Sequence, residues 1–257
     1  MESKQGNSRR IDPLTSALAL AAALMLTGCA GSNTASNVSA PGQPASASTK
    51  VLDAGADALQ SRPPVDALNA YLDGFHFYNG QIKSQMEAHH YCSILNDEVI
   101  QCVIYDGNVQ DAKLMGVEYI ISERLFAQLP VAEKALWHSH VHEVKSGQLI
   151  APGIPAVAEH ALMQKLVHTY GKTWHTWHTD LNKDLPLGVP QLMMGFTADG
   201  QIDPRLVQER DARFGIVSEE KKSARSDIPT PAVDPGADAW RKGHVFQVKD
   251  PTGSHAH

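Results

Sequence analysis

Two β-rich runs, "AHHYCSIL" and "EVIQCVIY", flank Asn96-Asp97 and predict a hairpin. "GVEYIIS" is a further apolar run that reads as a buried strand. "SERLFAQL" and "VAEKALW" predict short helical pieces broken at Pro130, because a proline ring does not sit inside a helix. "PAVAEHALMQKLVHTYG" has a helical period through Ala158, Ala161, Leu162, Leu166 and Tyr170. Pro155 suits its first turn and Gly171 its C-terminal cap. "KTWHTWHTD" alternates as a strand does, and "DPRLVQERDARFG" predicts another helix, with Asp203 before Pro204 and Gly215 after it. Strands and helices mix without a regular βαβ beat. The expected fold class is α+β: a single compact domain with an antiparallel sheet and several short helices, flanked by a disordered tether and an irregular tail.

The N-terminal pattern differs. Arg9 and Arg10 precede an apolar run from Leu14 to Leu26, too short for an ordinary membrane span, and then Thr27, Gly28 and Cys29. This reads as an export signal, and "LTGC" resembles the lipobox of bacterial lipoproteins. That resemblance implies an acylated Cys29, a membrane as partner through the lipid anchor, and a place in the bacterial cell envelope, on an outer membrane facing the periplasm. From Ala30 to about Pro64 the chain is rich in Ser, Ala, Gly and Pro without any period, as a flexible tether is. The tail carries "SEEKKSARSD" and "IPTPAVDPGAD" and reads as loosely packed. The expected boundaries are 1–28 for the signal peptide, 29–64 for Cys29 and the tether, 65–217 for the core domain and 218–257 for the irregular tail.

The 257 residues suffice for one sizeable domain. A formal charge of −6 speaks against a nucleic-acid partner, which would meet a basic surface. It also speaks against electrostatic attraction to anionic lipid, so lipid on Cys29 would have to hold the chain to a membrane. No G-x-S-x-G elbow, P-loop or G-x-G-x-x-G fingerprint occurs. The compositional oddity is the 13 histidines, which raises metal binding and pH response.

"WHSHVHE" holds the densest group, His138, His140, His142 and Glu143. On a strand, alternate residues share a face, so His138 and His140 would form a chelating pair with Glu143 close by. A metal site needs three or four ligands, and His175 of "TWHTWHT" and His90 of "AHHYC" are the other candidates. Zinc or iron, as a single ion, would suit imidazole plus carboxylate. A polar strand face with Trp174 and Trp177 in the core fits the same residues. A three-residue turn at Asn96 to Glu98 would face Cys92 with Cys102, whereas a two-residue turn would face Cys92 with Gln101. A disulfide, a packed thiol pair and a His90–Cys92–Cys102 zinc set all remain open on spacing.

Several long stretches together resemble the oil body-associated protein family. They are "GFHFY" at Gly74 to Tyr78, "EAHHYCSILNDEVIQCVIYD" at Glu87 to Asp106, "LMGVEYIIS" at Leu114 to Ser122, "LWHSHVHEVKSG", "PGIP" at Pro152 to Pro155, "TYGKTWHTW" at Thr169 to Trp177 and "PLGVPQLMM" at Pro186 to Met194. The resemblance implies that His76, His89, His90, His138, His140, His175, Glu143, Cys92 and Cys102 match family positions, whereas His142 and His178 do not. The plant members carry the same cysteines in reducing cytosol, which favours a packed or ligating thiol pair. The family's role implies proximity to a lipid surface. Two functions follow as expectations: a non-enzymatic, membrane-anchored envelope lipoprotein with a lipid or envelope-protein partner, or a metal-binding protein or metal-dependent enzyme centred on His138 and His140. Convergence of the named histidines in the fold would favour the second.

Overall fold

The hairpin leads into a closed barrel. A computed structural model of the protein describes residues 33–181 and 183–249. The strands are β1 (Ala70–Tyr78), β2 (Gln81–Asn96), β3 (Val99–Tyr105), β4 (Leu114–Ser122), β5 (His138–Ser139), β6 (Thr169–His175) and β7 (Gln191–Met194). The helices are α1 (Ala47–Leu59), α2 (Pro63–Asp66), α3 (Glu123–Ala127), α4 (Val131–Lys134), α5 (Val141–Lys145), α6 (Ala156–Leu166), α7 (Pro204–Phe214) and α8 (Ser218–Ala224). The sheet runs β4-β3-β2-β1-β7-β6-β5, and β4 also pairs with β6, which closes six strands into an antiparallel barrel. The chain is thus a single α+β domain with an antiparallel sheet and short helices. Closure leaves the six strands few free edges and divides every strand into an inward and an outward row of side chains.

Register places the rows. Cys92 faces Cys102, Cys102 faces Glu118 and Glu118 faces Thr173, so these four share the inner face across neighbouring strands. Leu72 faces His90, and Leu72, Gly74 and His76 alternate along β1 toward one interior cavity. The outward row of the same strand carries Asp73, Phe75 and Phe77. Phe75 and Phe77 pack with Leu192, Met194 and Phe196 beneath Leu206 and Val207 of α7. Helix α7 begins as its sequence requires: Asp203 accepts from Arg205 N at 2.9 Å, Pro204 opens the first turn, and Gly215 closes it at φ 61°. Its Arg210 is fully buried, donating to Asp73 Oδ1 and to the carbonyls of Gly147 and Gln148. One end of the barrel is stopped by Val144 of α5 and Met163 and Leu166 of α6 against Leu72, Cys92, Cys102 and Ile120.

Three local expectations change. The histidine stretch is not one strand: β5 ends at Ser139, His140 (φ −86°, ψ 0°) turns the chain, and His142 lies on α5. Gly171 is not a helix cap, because α6 ends at Leu166 and Gly171 sits inside β6 between Ile120 and His138. The tail is more ordered than its composition suggests, since burial and hydrogen bonds override weak propensity. It holds α8, buries Ile228 and Ala237, and anchors Asp238 on Ser139. In the tether region, Thr34 to Asn37 bond to Asn108 and Asp106 of the barrel, and α1 forms with no buried residue. The signal peptide and Cys29 lie outside the described residues. No described helix is long and apolar enough to cross a membrane.

Candidate metal centre

Glu118 is the middle of the site. It projects inward from β4 and is buried, as are His76, His90, His138, His140, Glu143 and His175. Its Oε2 lies 2.9 Å from His90 Nε2 and 3.9 Å from His76 Nε2. Its Oε1 lies 3.2 Å from His140 Nε2 and 3.5 Å from His138 Nε2. Glu143 Oε2 stands 3.9 Å from His140 Nε2 and 4.0 Å from His138 Nε2. His175 packs its ring 5.5 Å from that of His76, at the margin of the cluster. Four sequence candidates therefore converge with Glu118, and His175 borders them. His142 instead points to Gln148 and Asp199, and His178 to Tyr78.

Most of these imidazoles lack ordinary partners. Among the described residues, both nitrogens of His90, His138 and His175 and Nδ1 of His76 are buried without a hydrogen bond. His90 Nε2 is close to Glu118 but not aligned to donate to it. A buried polar atom left unpaired costs about 1–3 kcal/mol, so a cluster of them marks a place where an ion or ordered water would pair with them.

His140 is oriented by Thr169. Thr169 Oγ1 spends its single proton on Leu166 O at 2.7 Å, because a carbonyl only accepts. Thr169 must then accept from His140 Nδ1, also at 2.7 Å. A proton therefore sits on His140 Nδ1. Its Nε2 is in hydrogen-bond contact with Glu118 Oε1 at 3.2 Å, and either a second proton or a metal ion between them satisfies both atoms. Metal-ligating histidines regularly give their other ring N–H to such an acceptor, which fixes the tautomer.

The backbone leaves room at that point. A Cβ on Gly171 would lie 2.0 Å from Glu118 Oε1 and 2.8 Å from Nε2 of both His138 and His140. Only a glycine there keeps the meeting point of three donors open. Gly195 does the same beneath Glu143 and His138. On the other side, a cavity of about 10 Å³, enough for one water-sized species, touches His76, His90, Glu118, His140 and Glu143.

Electrostatics favour neutral His76, His138 and His175 and an ionised Glu118. Burial drives the pKa of His138 and of His175 down to about 3, and that of His76 well below its usual value. Burial would raise Glu118, but His140 and His90 outweigh it and hold the carboxyl well below the ordinary range. Burial, with Glu118 and Asp238 nearby, pushes Glu143 well above that range. Neutral imidazole beside carboxylate is the form in which these groups ligate.

Sequence reasoning passed over Glu118 as a ligand. The signal was present: in "GVEYIIS" it is a charge on the same face as Gly116 and Ile120, and a lone charge in a buried row needs a partner. Two other groups are accounted for differently. Cys92 and Cys102 face each other from β2 and β3 and are joined as a disulfide in this structure. Asp73, Glu87 and His89 cluster on the outer face, but Arg210 and Arg213 already neutralise the two carboxylates there. That group ties α7 to the barrel wall.

The fold and site together define a class, a closed antiparallel β-barrel with an imidazole–carboxylate interior. Residues 62–229 match the family described as "Protein of unknown function (DUF1264)". The chain is 41% identical over 221 residues to oil body-associated protein 1B of Arabidopsis thaliana, covering 85% of this chain and 92% of that one. It is 44% identical over 215 residues to oil body-associated protein 2A of Zea mays, covering 81% and 85%. It is 40% identical over 216 residues to oil body-associated protein 1A of Zea mays, covering 83% and 91%. The chain belongs to the oil body-associated protein family. No solved structure matches it significantly. These relatives overturn the expected place on a bacterial outer membrane facing the periplasm, because they are plant proteins named for oil bodies.

Proposed function

We propose that the protein binds a divalent transition metal, zinc or iron by ligand type, inside its barrel. Glu118, His138 and His140 hold the ion, with His76, His90 and Glu143 completing or bordering its shell. The observation that carries this reading is the set of buried, unpartnered imidazole nitrogens around Glu118 above the Cβ-free floor at Gly171. With room for about one water beside it, the site as folded takes an ion and water-sized ligands. The test is elemental mass spectrometry on the full chain, purified without chelating resin. Zinc, iron or manganese at one or more per chain supports the reading. No metal, even after incubation with each ion, overturns it. Metal in excess, at about 100 times its Kd, should stabilise the fold by about 2.7 kcal/mol, read as a rise in Tm that a chelator reverses.

A second reading, contact with a lipid surface, is supported by one observation. Helix α1 turns Val51, Leu52 and Leu59 to solvent while Lys50, Asp53 and Asp57 occupy its opposite side. In a flotation assay the chain should rise with phospholipid-coated triacylglycerol droplets, and a Leu52→Glu, Leu59→Glu variant should stay below. Equal flotation of both, or of neither, overturns it.

A further inference from the structure

We propose that the centre holds two divalent cations bridged by the carboxylate of Glu118. This rests on the metal-binding reading above and extends it. Each oxygen of Glu118 faces its own pair of imidazoles, Oε2 toward His76 and His90 and Oε1 toward His138 and His140. Each oxygen with its pair forms a compact donor set, with ligand atoms within 4.8 Å of one another. That is how a carboxylate lies when it spans two metals, which in such sites stand about 3.5–4 Å apart.

Donor number points the same way. The cluster contains five imidazoles and two carboxylates, all buried. A structural zinc uses about four ligands and an octahedral ion about six. One ion would leave donors over, with their desolvation uncompensated. Two ions share them: His138 and His140 with Glu143 beside them on one side, His76 and His90 on the other, and His175 next to His76.

The spaces correspond to the two halves. The Gly171 floor lies under the Oε1 half, against His138 and His140. The one-water cavity reaches into the Oε2 half, against His76 and His90, and touches His140 and Glu143 across the divide. Two dications exceed the charge of Glu118 and Glu143. A water in that cavity, bound to both ions, would release a proton to solvent and remain as a bridging hydroxide, since metal binding lowers the pKa of water steeply. The ligand class is therefore a pair of first-row divalent ions with one oxygen bridge.

The deciding experiment loads metal-stripped full-length protein with Mn(II), removes excess by dialysis, and reads both metal per chain and the electron paramagnetic resonance spectrum. Two ions per chain with an exchange-coupled spectrum is the expected result. One ion per chain overturns the two-ion centre and leaves the metal-binding reading intact. Two uncoupled ions overturn the Glu118 bridge. No retained Mn(II), with one zinc or iron per chain retained under the same treatment, overturns the two-ion centre alone, and no retained ion of any of the three overturns both. A His76→Ala, His90→Ala variant and a His138→Ala, His140→Ala variant should each fall from two ions to one and lose the coupling. Loss of both ions from either variant while its circular dichroism stays native would mean that the two pairs do not hold separate ions. Should either variant unfold, the wild-type count and spectrum still decide the matter.

Discussion

Gly171 carries the sharpest consequence of the site. A methyl group at that position would overlap the point where Glu118, His138 and His140 meet. Gly171→Ala should therefore lose the ion proposed at Glu118, His138 and His140 while the circular dichroism stays native, and full retention would disprove the placement of an ion there. Thr169 acts at one remove, through the proton it keeps on His140 Nδ1. Thr169→Val should weaken metal affinity by about 10- to 100-fold, the usual effect of losing such a partner, measured by competition with a coloured chelator. Unaltered affinity would show that His140 needs no orientation. These two residues also show how far the sequence can be read. His138, His140, His90 and Glu143 stand out by residue type. Gly171 and Thr169 do not, because their roles come from where β6 passes, and no pattern in "HTYGKTWH" records that β4 and β5 lie on its two sides.

Strands and helices were legible where periodicity was strong. The β2–β3 hairpin, β4, α6 and α7 follow from alternation, apolar runs or caps. Strand β7 and the first half of β2 are short or polar and give no such signal. The short β5 looks in sequence like part of a longer strand because alternating histidines continue into α5, where the helix period takes over. The barrel itself is a closure of β4 on β6, a long-range pairing that local pattern does not encode. Within the barrel wall, the disulfide between Cys92 and Cys102 fastens β2 to β3 across a sequence separation of 10. A loop of that size contributes about 2–3 kcal/mol by constraining the unfolded chain. Reduction should lower the urea midpoint accordingly, with the freed thiols confirmed by alkylation mass. A midpoint indifferent to reductant would mean that the hairpin holds its register unaided.

At the scale of the whole molecule, the segment after the barrel completes it. Asp238, buried and at φ 51°, accepts from Ser139 N at 3.0 Å and from Ser139 Oγ at 2.7 Å, holding the link between the two histidines. Burial raises its pKa from 3.8 to about 6. A group whose folded pKa is raised contributes stability fully below its unfolded pKa and loses it as pH rises through the folded one. Wild type should therefore lose stability relative to Asp238→Asn between pH 4 and pH 7, by up to about 3 kcal/mol, measured by urea melts at each pH. A constant difference would show that the carboxyl does not titrate on folding.

The clamp on Ser139 reaches across 99 positions of the chain, and Arg210 reaches Asp73 across 137. Such long-range contacts are slow to form, because each closes a large loop. A chain that has emerged only as far as β6 already carries the five histidines and both glutamates, yet it lacks β7 and the segment that steadies Ser139. It could chelate ions loosely but not seat them. For the proposed metal centre, synthesis would thus impose an order of events: the barrel closes before an ion can be seated. Cleavage between β7 and Asp238 would then open the proposed centre without cutting next to any of its side chains.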